Sequence, residues 1–378
     1  MPLGTERIRS SPRIGLYIRI AIAVVILLTV VVVLHPLAAA QEVYAKYQSS
    51  PIPSIVHYVY IKRDANSVID FPFAYFLTLY ASAMYLKPEK IYIHTDYNET
   101  EIANANKTGS IWTKKVMSTF PDLIEWNQVF VPQWAGANEN MKIDAIQHKS
   151  DFIRWNEIAK TGGIYMDFDV VPLKSLDPLL NAGFDFVGGR QYGGKDEGGQ
   201  INGTINNGAF LTKANSAMAR IIVREQTMGF DGRWESNLQF MTQVAERLVS
   251  IPNQVLILDR QAFAPTHWFE DSKSALFNPN EGRPSPEPLR TNSTDPLDIY
   301  DTMIRTRLAR QEWEMDFSST YMLHAFGQGQ NNHNITPKKI LSRTSNYGIA
   351  TWEIVKKMLS EGLVTGNEDG DEKKSGGH

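Results

Sequence analysis

Residues Gly162 to Asp177 read GGIYMDFDVVPLKSLD and set two carboxylates, one residue apart, in what is otherwise an apolar strand. Side chains alternate along a strand, so Tyr165, Asp167 and Asp169 are expected on one face and Ile164, Met166, Phe168 and Val170 on the other. At a rise of about 3.3 Å per residue the like charges stand roughly 6–7 Å apart. Burying an unpartnered carboxylate costs several kcal/mol, so this pair calls for a cation, strong donors or open water.

Upstream, Asp144 to Thr161 carries Ile146, Ile153, Trp155, Ile158 and Ala159 at helical spacing, with Asp144 as an N-cap and Gly162 suited to a left-handed C-cap. Asp151 and Arg154, three apart, share a face of that helix and lead toward the two aspartates. Further upstream, Ile55–Ile61 reads as a buried strand, Phe71 to Tyr85 as a buried helix ended near Pro88, and Lys90–His94 as a second strand. Strand, helix and strand with short connections form the βαβ unit of a parallel sheet. Gln128–Val131 is expected as a third strand. Downstream, Phe184–Gly188 and Val255–Leu258 read as strands, Asn215–Met228 and Trp234–Val249 as helices, and Tyr321–Phe326 as a late strand. The glycine-rich run from Gly188 to Phe210 reads as a loop that something approaches closely. Asn278 to Asp298, with five prolines, reads as a surface excursion.

Three readings compete for Asp167 and Asp169: a turn cap beside a merely exposed carboxylate, the nucleophile of a haloacid-dehalogenase-like phosphatase, or a nucleotide-sugar site. A phosphatase wants a second acidic pair on a later strand, and the later acidic cluster here is EDGDE in the charged tail. In a nucleotide-sugar site, a divalent cation between the aspartates and a pyrophosphate removes the like-charge problem and neutralises the leaving group.

The stretch KSDFIRWNEIAKTGGIYMDFDVVPLKSLD, residues 149–177, resembles the S-D-x-x-R … G-G-x-Y-x-D-x-D signature of glycosyltransferases with a D-x-D sugar-binding motif. IPSIVHYVY at 52–60 is similar to their opening strand. The family is glycosyltransferase family 32, which includes fungal Golgi enzymes and shares its core with clostridial glucosylating toxins; the likeness is good over Ile52 to Pro178 and loose beyond. It implies an α/β, GT-A type, Rossmann-like, mostly parallel sheet flanked by helices, and retaining transfer of mannose, GlcNAc, galactose or glucose. It implies Mn²⁺ or Mg²⁺ on Asp167, Asp169 and His324 of YMLHAFG, and donor contacts from His57, Tyr60, Asp151, Arg154, Tyr165, Asp167 and Asn207. Asp151, Arg154, Asp167 and Asp169 are the catalytic set by this likeness, and Asn206-Asn207-Gly208 matches a loop lining the donor and acceptor cleft. Where relatives have T-G-P, this chain has Trp234-Glu235-Ser236-Asn237, so the acceptor side is unassigned. GDP-mannose and UDP-sugars stand as donors, and a glycan, a sphingolipid headgroup or a protein as acceptor. A catalytically silent sugar- or partner-binding protein on the same scaffold is the alternative.

The two ends of the chain differ from this body. Arg7, Arg9, Arg13 and Arg19 precede Ile20–Leu34, which has neither charge nor glycine. With its flanks this reads as one transmembrane helix over 16–36, after a cytosolic 1–15 and before a stem at 37–51, with the rest lumenal in the Golgi or ER. A signal peptide cleaved after Ala38-Ala39-Ala40 is the competing reading. Five glycosylation sequons, at Asn98, Asn106, Asn202, Asn292 and Asn334, favour the lumen. A single domain over 52–365 and a disordered tail over 366–378 complete the organisation. The net charge of −3 gives no electrostatic case for nucleic acid, and the absence of cysteine leaves oxygen or imidazole as metal donors.

Overall fold

From Ile55 onward, β-branched runs alternate with helical stretches, and they close into a seven-stranded sheet in the computed structural model, which describes residues 23–24, 50–137, 140–193, 203–280 and 283–368. The strands are β1 (Ile55–Val59), β2 (Lys90–Thr95), β3 (Ile124–Gln128), β4 (Trp134–Ala135), β5 (Met141–Lys142), β6 (Gly162–Met166), β7 (Val170–Pro172), β8 (Phe186–Arg190), β9 (Ile205–Lys213), β10 (Val255–Leu258) and β11 (Met322–His324). The sheet order is β10-β8-β9-β6-β1-β2-β3. Its neighbours pair in parallel except at β9, which is antiparallel to β6 and β8. β7 leaves this sheet and pairs antiparallel with β11.

The helices that position the site are α1 (Phe73–Ala81), α2 (Ile146–Thr161), α3 (Ala217–Gly229), α4 (Ser236–Leu248) and α5 (Asn346–Ser360). One sheet face, with Val56, Tyr58, Ile91, Ile93, Ile164 and Met166, packs against α1 and α5. The other, with Tyr165, Phe186 and Phe210, packs against Trp155 and Ile158 of α2 and against α3 and α4. The two-residue alternation expected around Ile164 thus decides which layer each side chain joins. At the junction of α2 and β6, Gly162 has φ +70° and Gly163 φ +132°. A Cβ on Gly162 would lie 2.5 Å from the Ala214 nitrogen, so the chain can reverse there only without a side chain.

Several expectations are corrected. The acidic strand does not run through to Val170: β6 stops at Met166, and the Val170 N–H bonds the Asp167 carbonyl at 3.0 Å, closing a turn. Asp144 does not cap α2; it pairs with Lys142 at 2.7 Å, and the helix begins after Ala145. The third strand lies earlier than expected, at Ile124–Gln128, where Ile124 and Trp126 reach the core. The glycine-rich run is not one loop: its ends belong to β8 and β9, and residues 194–202 lie outside the described residues.

Apart from Ala23 and Val24, which are helical, the expected span 16–36 lies outside the described residues, as do the stem before Ser50 and the tail beyond Glu368. Among the described residues no helix is long and apolar enough to cross a membrane. Asn98, Asn106 and Asn292 are exposed.

Candidate active site

The DFD turn explains how an apolar strand tolerates two carboxylates. Phe168 points into the core, its ring stacked on Tyr75 at 4.5 Å and on Tyr58 at 4.7 Å, while both aspartates point out. Four groups hold the turn's backbone. The Asp167 N–H donates to the Gly208 carbonyl at 2.8 Å, and the Ala325 N–H donates to the Asp169 carbonyl at 2.8 Å. The Phe168 carbonyl accepts from the Thr78 hydroxyl and from the Gln328 amide, each at 3.1 Å. A buried carbonyl with two donors costs little to bury, and the turn is thereby tied to α1, β9 and the segment after β11.

The register of β7 on β11 sets His324 opposite Val170. Ligand atoms of Asp167, Asp169 and His324 all lie within 4.8 Å of one another, and His324 Nε2 is 3.4 Å from Asp169 Oδ1. The Asn206 amide nitrogen meets His324 Nδ1 at 2.7 Å, and Asn206 Oδ1 in turn accepts from the Gly208 N–H at 2.7 Å, which leaves Nε2 toward the carboxylates. Burial raises the Asp167 carboxyl above the usual range and Asp169 raises it further, against the pull of Arg154.

These residues fit a divalent cation. The donors are two carboxylates and one imidazole, suited to a hard or borderline ion. The space among them is kept clear by Gly208, where a Cβ would come within 2.7 Å of His324 Cε1 and 2.8 Å of Asp167 Oδ2. A cation also answers the like-charge problem posed by the sequence.

Arg154 on α2 is buried, 5% exposed, and its guanidinium is committed to the protein. It contacts Asp151 Oδ1 and Asp167 Oδ1 at 3.2 Å each, donates to the Ser150 hydroxyl at 3.2 Å and to the Asn207 carbonyl, and lies 4.5 Å above the Tyr165 ring. Its Nε is buried without a partner. The Tyr165 hydroxyl donates to the same Asp167 oxygen at 2.6 Å. Asp151 accepts from Asn207 at 2.8 Å and from Asn237 at 2.9 Å. Burial raises the Asp151 carboxyl, with Arg154 and Asn237 opposing. The S-D-x-x-R helix therefore orients Asp167 through Arg154.

Other expected residues fall elsewhere. Asn207 is not on a loop; it lies in β9 and turns toward α2, its Oδ1 accepting from Trp155 at 3.3 Å. Its neighbours Asn206 and Gly208 face the triad instead. Reading INNGAFLTK as a strand would have found this, because alternation puts those two on the opposite face. His57 is not free for a nucleotide. It is buried, with Nε2 3.0 Å from the Gly162 carbonyl and Nδ1 2.9 Å from His94 Nε2. His94 Nδ1 meets the Asn127 amide at 2.8 Å. Burial lowers His57 to about 4 and His94 to about 2, the latter with the help of His57. Tyr60 does reach the strand ends, stacked with Tyr97 at 5.9 Å and edge-on to Phe168 at 5.8 Å. Tyr75, Thr78 and Gln328 carry no motif and were not legible as site residues.

Residues 75–184 match the model of the glycosyltransferase sugar-binding region containing DXD motif. Among curated proteins, the chain is 25% identical over 150 residues to Glucan organizing enzyme 1 of Cryptococcus neoformans var. grubii. That match covers 39% of this chain and 36% of the relative, so it spans about a third of the relative's length. Among solved structures, the PaToxG glycosyltransferase aligns over 82% of this chain and 90% of its own at 13% identity and a TM-score of 0.37. The galactosyltransferase LgtC, in complex with donor and acceptor sugar analogs, aligns over 80% and 95% at 13% identity and a TM-score of 0.37. The glycosyltransferase GlyE of Streptococcus pneumoniae TIGR4 aligns over 87% and 66% at 11% identity and a TM-score of 0.39. The stretch that bears Asp151, Arg154, Tyr165 and both aspartates lies within the residues that match the glycosyltransferase sugar-binding region containing DXD motif.

Proposed function

We propose that the chain is a divalent-metal-dependent glycosyltransferase of the GT-A type, moving a hexosyl group from a nucleotide-diphosphate sugar with retention at the anomeric carbon. The observation that carries this is the convergence of Asp167, Asp169 and His324 at the carboxyl end of β6. The triad lies where such sheets take ligands. The chain runs outward through β1, β2 and β3 and then returns to the other side of β1 at β6, which makes the β1–β6 junction a topological switch point. Asp167, Asp169 and His324 would hold Mn²⁺ or Mg²⁺, which supplies charge neutralisation on the diphosphate leaving group. Arg154 and Tyr165 keep Asp167 in one orientation. The acceptor hydroxyl attacks the anomeric carbon as the bond to the diphosphate breaks, and its proton passes to a phosphate oxygen on the same face. Retention, the donor choice between GDP-mannose and UDP-sugars, and a glycan, sphingolipid or protein acceptor rest on the sequence resemblance. Residence in the Golgi or ER membrane through residues 16–36 rests on the apolar run Ile20–Leu34 behind Arg7, Arg9, Arg13 and Arg19 and on the sequons.

A thermal-shift panel of nucleotide sugars with and without Mn²⁺ tests the reading. The true donor should raise Tm in the presence of Mn²⁺, by about 2.7 kcal/mol of stabilisation at a hundredfold excess over Kd. Asp169→Asn should abolish the metal-dependent part. A panel in which no nucleotide sugar shifts the wild type with Mn²⁺ present overturns it.

A further inference from the structure

Resting on the donor reading above, we infer that Trp268 and Phe326 form the floor of an acceptor subsite that takes a hexopyranose ring by stacking. Sequence motifs left the acceptor side unassigned, and the structure supplies an aromatic surface contiguous with the metal-binding histidine. The Phe326 ring stacks on His324 with centroids 3.7 Å apart, and Trp268 meets Phe326 edge-on at 5.8 Å. Tyr192, two residues past β8, adjoins Trp268 at 6.2 Å and stacks on His267 at 4.2 Å. The surface is anchored: the Thr266 hydroxyl donates to the His324 carbonyl at 2.7 Å, tying the segment that bears Trp268 to the strand that bears the triad histidine.

Position separates this surface from the nucleotide. β8 and β6 are each antiparallel to β9, so their carboxyl ends share one edge, with Asp167 between two aromatic groups. Tyr60 and Tyr97 lie at the ends of β1 and β2, beside the switch point, where a nucleoside is expected. The Trp268 group lies across the triad, on the β8–β10 side. Trp268 is 41% exposed although it is the largest apolar side chain in its group. An indole face presents a negative π surface to the axial C–H face of a pyranose and leaves the hydroxyl rim free for polar partners, which is the chemistry a transferase acceptor offers. The occupant argued for is therefore a neutral hexopyranose at the acceptor end of a glycan or glycoside.

Saturation-transfer NMR tests this on the full chain, with methyl α-D-mannopyranoside, methyl β-D-glucopyranoside and methyl β-D-galactopyranoside as probes. Wild type, Trp268→Ala and Trp268→Tyr are compared, and Kd values for UDP and GDP with Mn²⁺ are measured on the same samples. At least one glycoside should show ring C–H signals in the wild type that fall about fivefold or more in Trp268→Ala and return in Trp268→Tyr, with nucleotide Kd unchanged. Trp268 is partly exposed, so its truncation leaves no core cavity to confuse the result. Three results overturn the inference: no signal from any glycoside in the wild type, equal signals in Trp268→Ala, or a loss of nucleotide affinity instead, which would make the surface a base subsite. Failure of UDP and GDP to bind the wild type with Mn²⁺ refutes the donor reading instead, and the glycoside signals are read independently of it.

Discussion

Gly208 shows how a residue without a side chain defines a site. It lies in β9, its carbonyl accepts the Asp167 N–H at 2.8 Å, and its N–H bonds Asn206 Oδ1 at 2.7 Å. Its missing Cβ is the clearance between Asp167 and His324. Its φ is not in the left-handed region, so Gly208→Ala strains no backbone dihedral and acts through crowding alone. We expect Gly208→Ala to weaken Mn²⁺ binding by about tenfold or more, since displaced ligands lose metal affinity on that scale. Far-UV circular dichroism should be unchanged. Titration of Mn²⁺ by water-proton relaxation reads this directly, and unaltered affinity would place the cation outside the triad.

At the scale of the element, α2 is the arm that holds the DFD turn. Asp151 and Arg154 share one face, as their spacing predicts, and that face meets Tyr165 of β6 and Asp167 of the turn after it. The guanidinium serves two carboxylates, a hydroxyl and a carbonyl, a set of directions that a single ammonium cannot reproduce. Arg154→Lys should therefore destabilise the protein as well as slow transfer. Breaking a buried pair by removing one partner costs about 3–5 kcal/mol, and a lysine that keeps the charge but only part of the hydrogen bonds should cost about 2–3. Urea unfolding followed by tryptophan fluorescence measures it. An unchanged midpoint would mean that Arg154 is not part of the supporting network.

Across the whole molecule, acid stability follows from the buried histidine pair that joins β1 to β2 and, through Gly162, to β6. Both rings are held neutral in the folded protein, His57 at about 4 and His94 at about 2, against 6.5 for an unburied histidine. The unfolded chain thus binds more protons below pH 6.5, so the stabilisation is complete above that value and is lost as pH falls toward 4. Between pH 7 and pH 5 the loss is about 2 kcal/mol for each histidine. Urea midpoints at the two pH values should differ accordingly, with a smaller difference in His94→Gln. Equal midpoints would show that the pair already carries a proton in the native state.

The local pattern of residues determined the class of fold and half of the site. A period of two around Ile164 and of about 3.6 over Ile146–Thr161 follows from backbone geometry, so it identifies a strand, a helix and the faces they bury without any knowledge of neighbours. It placed Asp151 and Arg154 beside the aspartates, and the structure agrees. Local pattern could not show that the strand breaks at Asp167, because the turn is closed by partners on α1, β9 and the segment after β11. Nor could it say that Asn206 faces the triad while Asn207 faces α2, which depends on β9 lying antiparallel between β6 and β8. His57 sits in a strand where a nucleotide contact was expected and is instead spent on His94, because the pairing of β1 with β2 brings two imidazoles within 2.9 Å. Sheet order and register are settled by the burial of the whole chain, and they alone decide which distant residues meet.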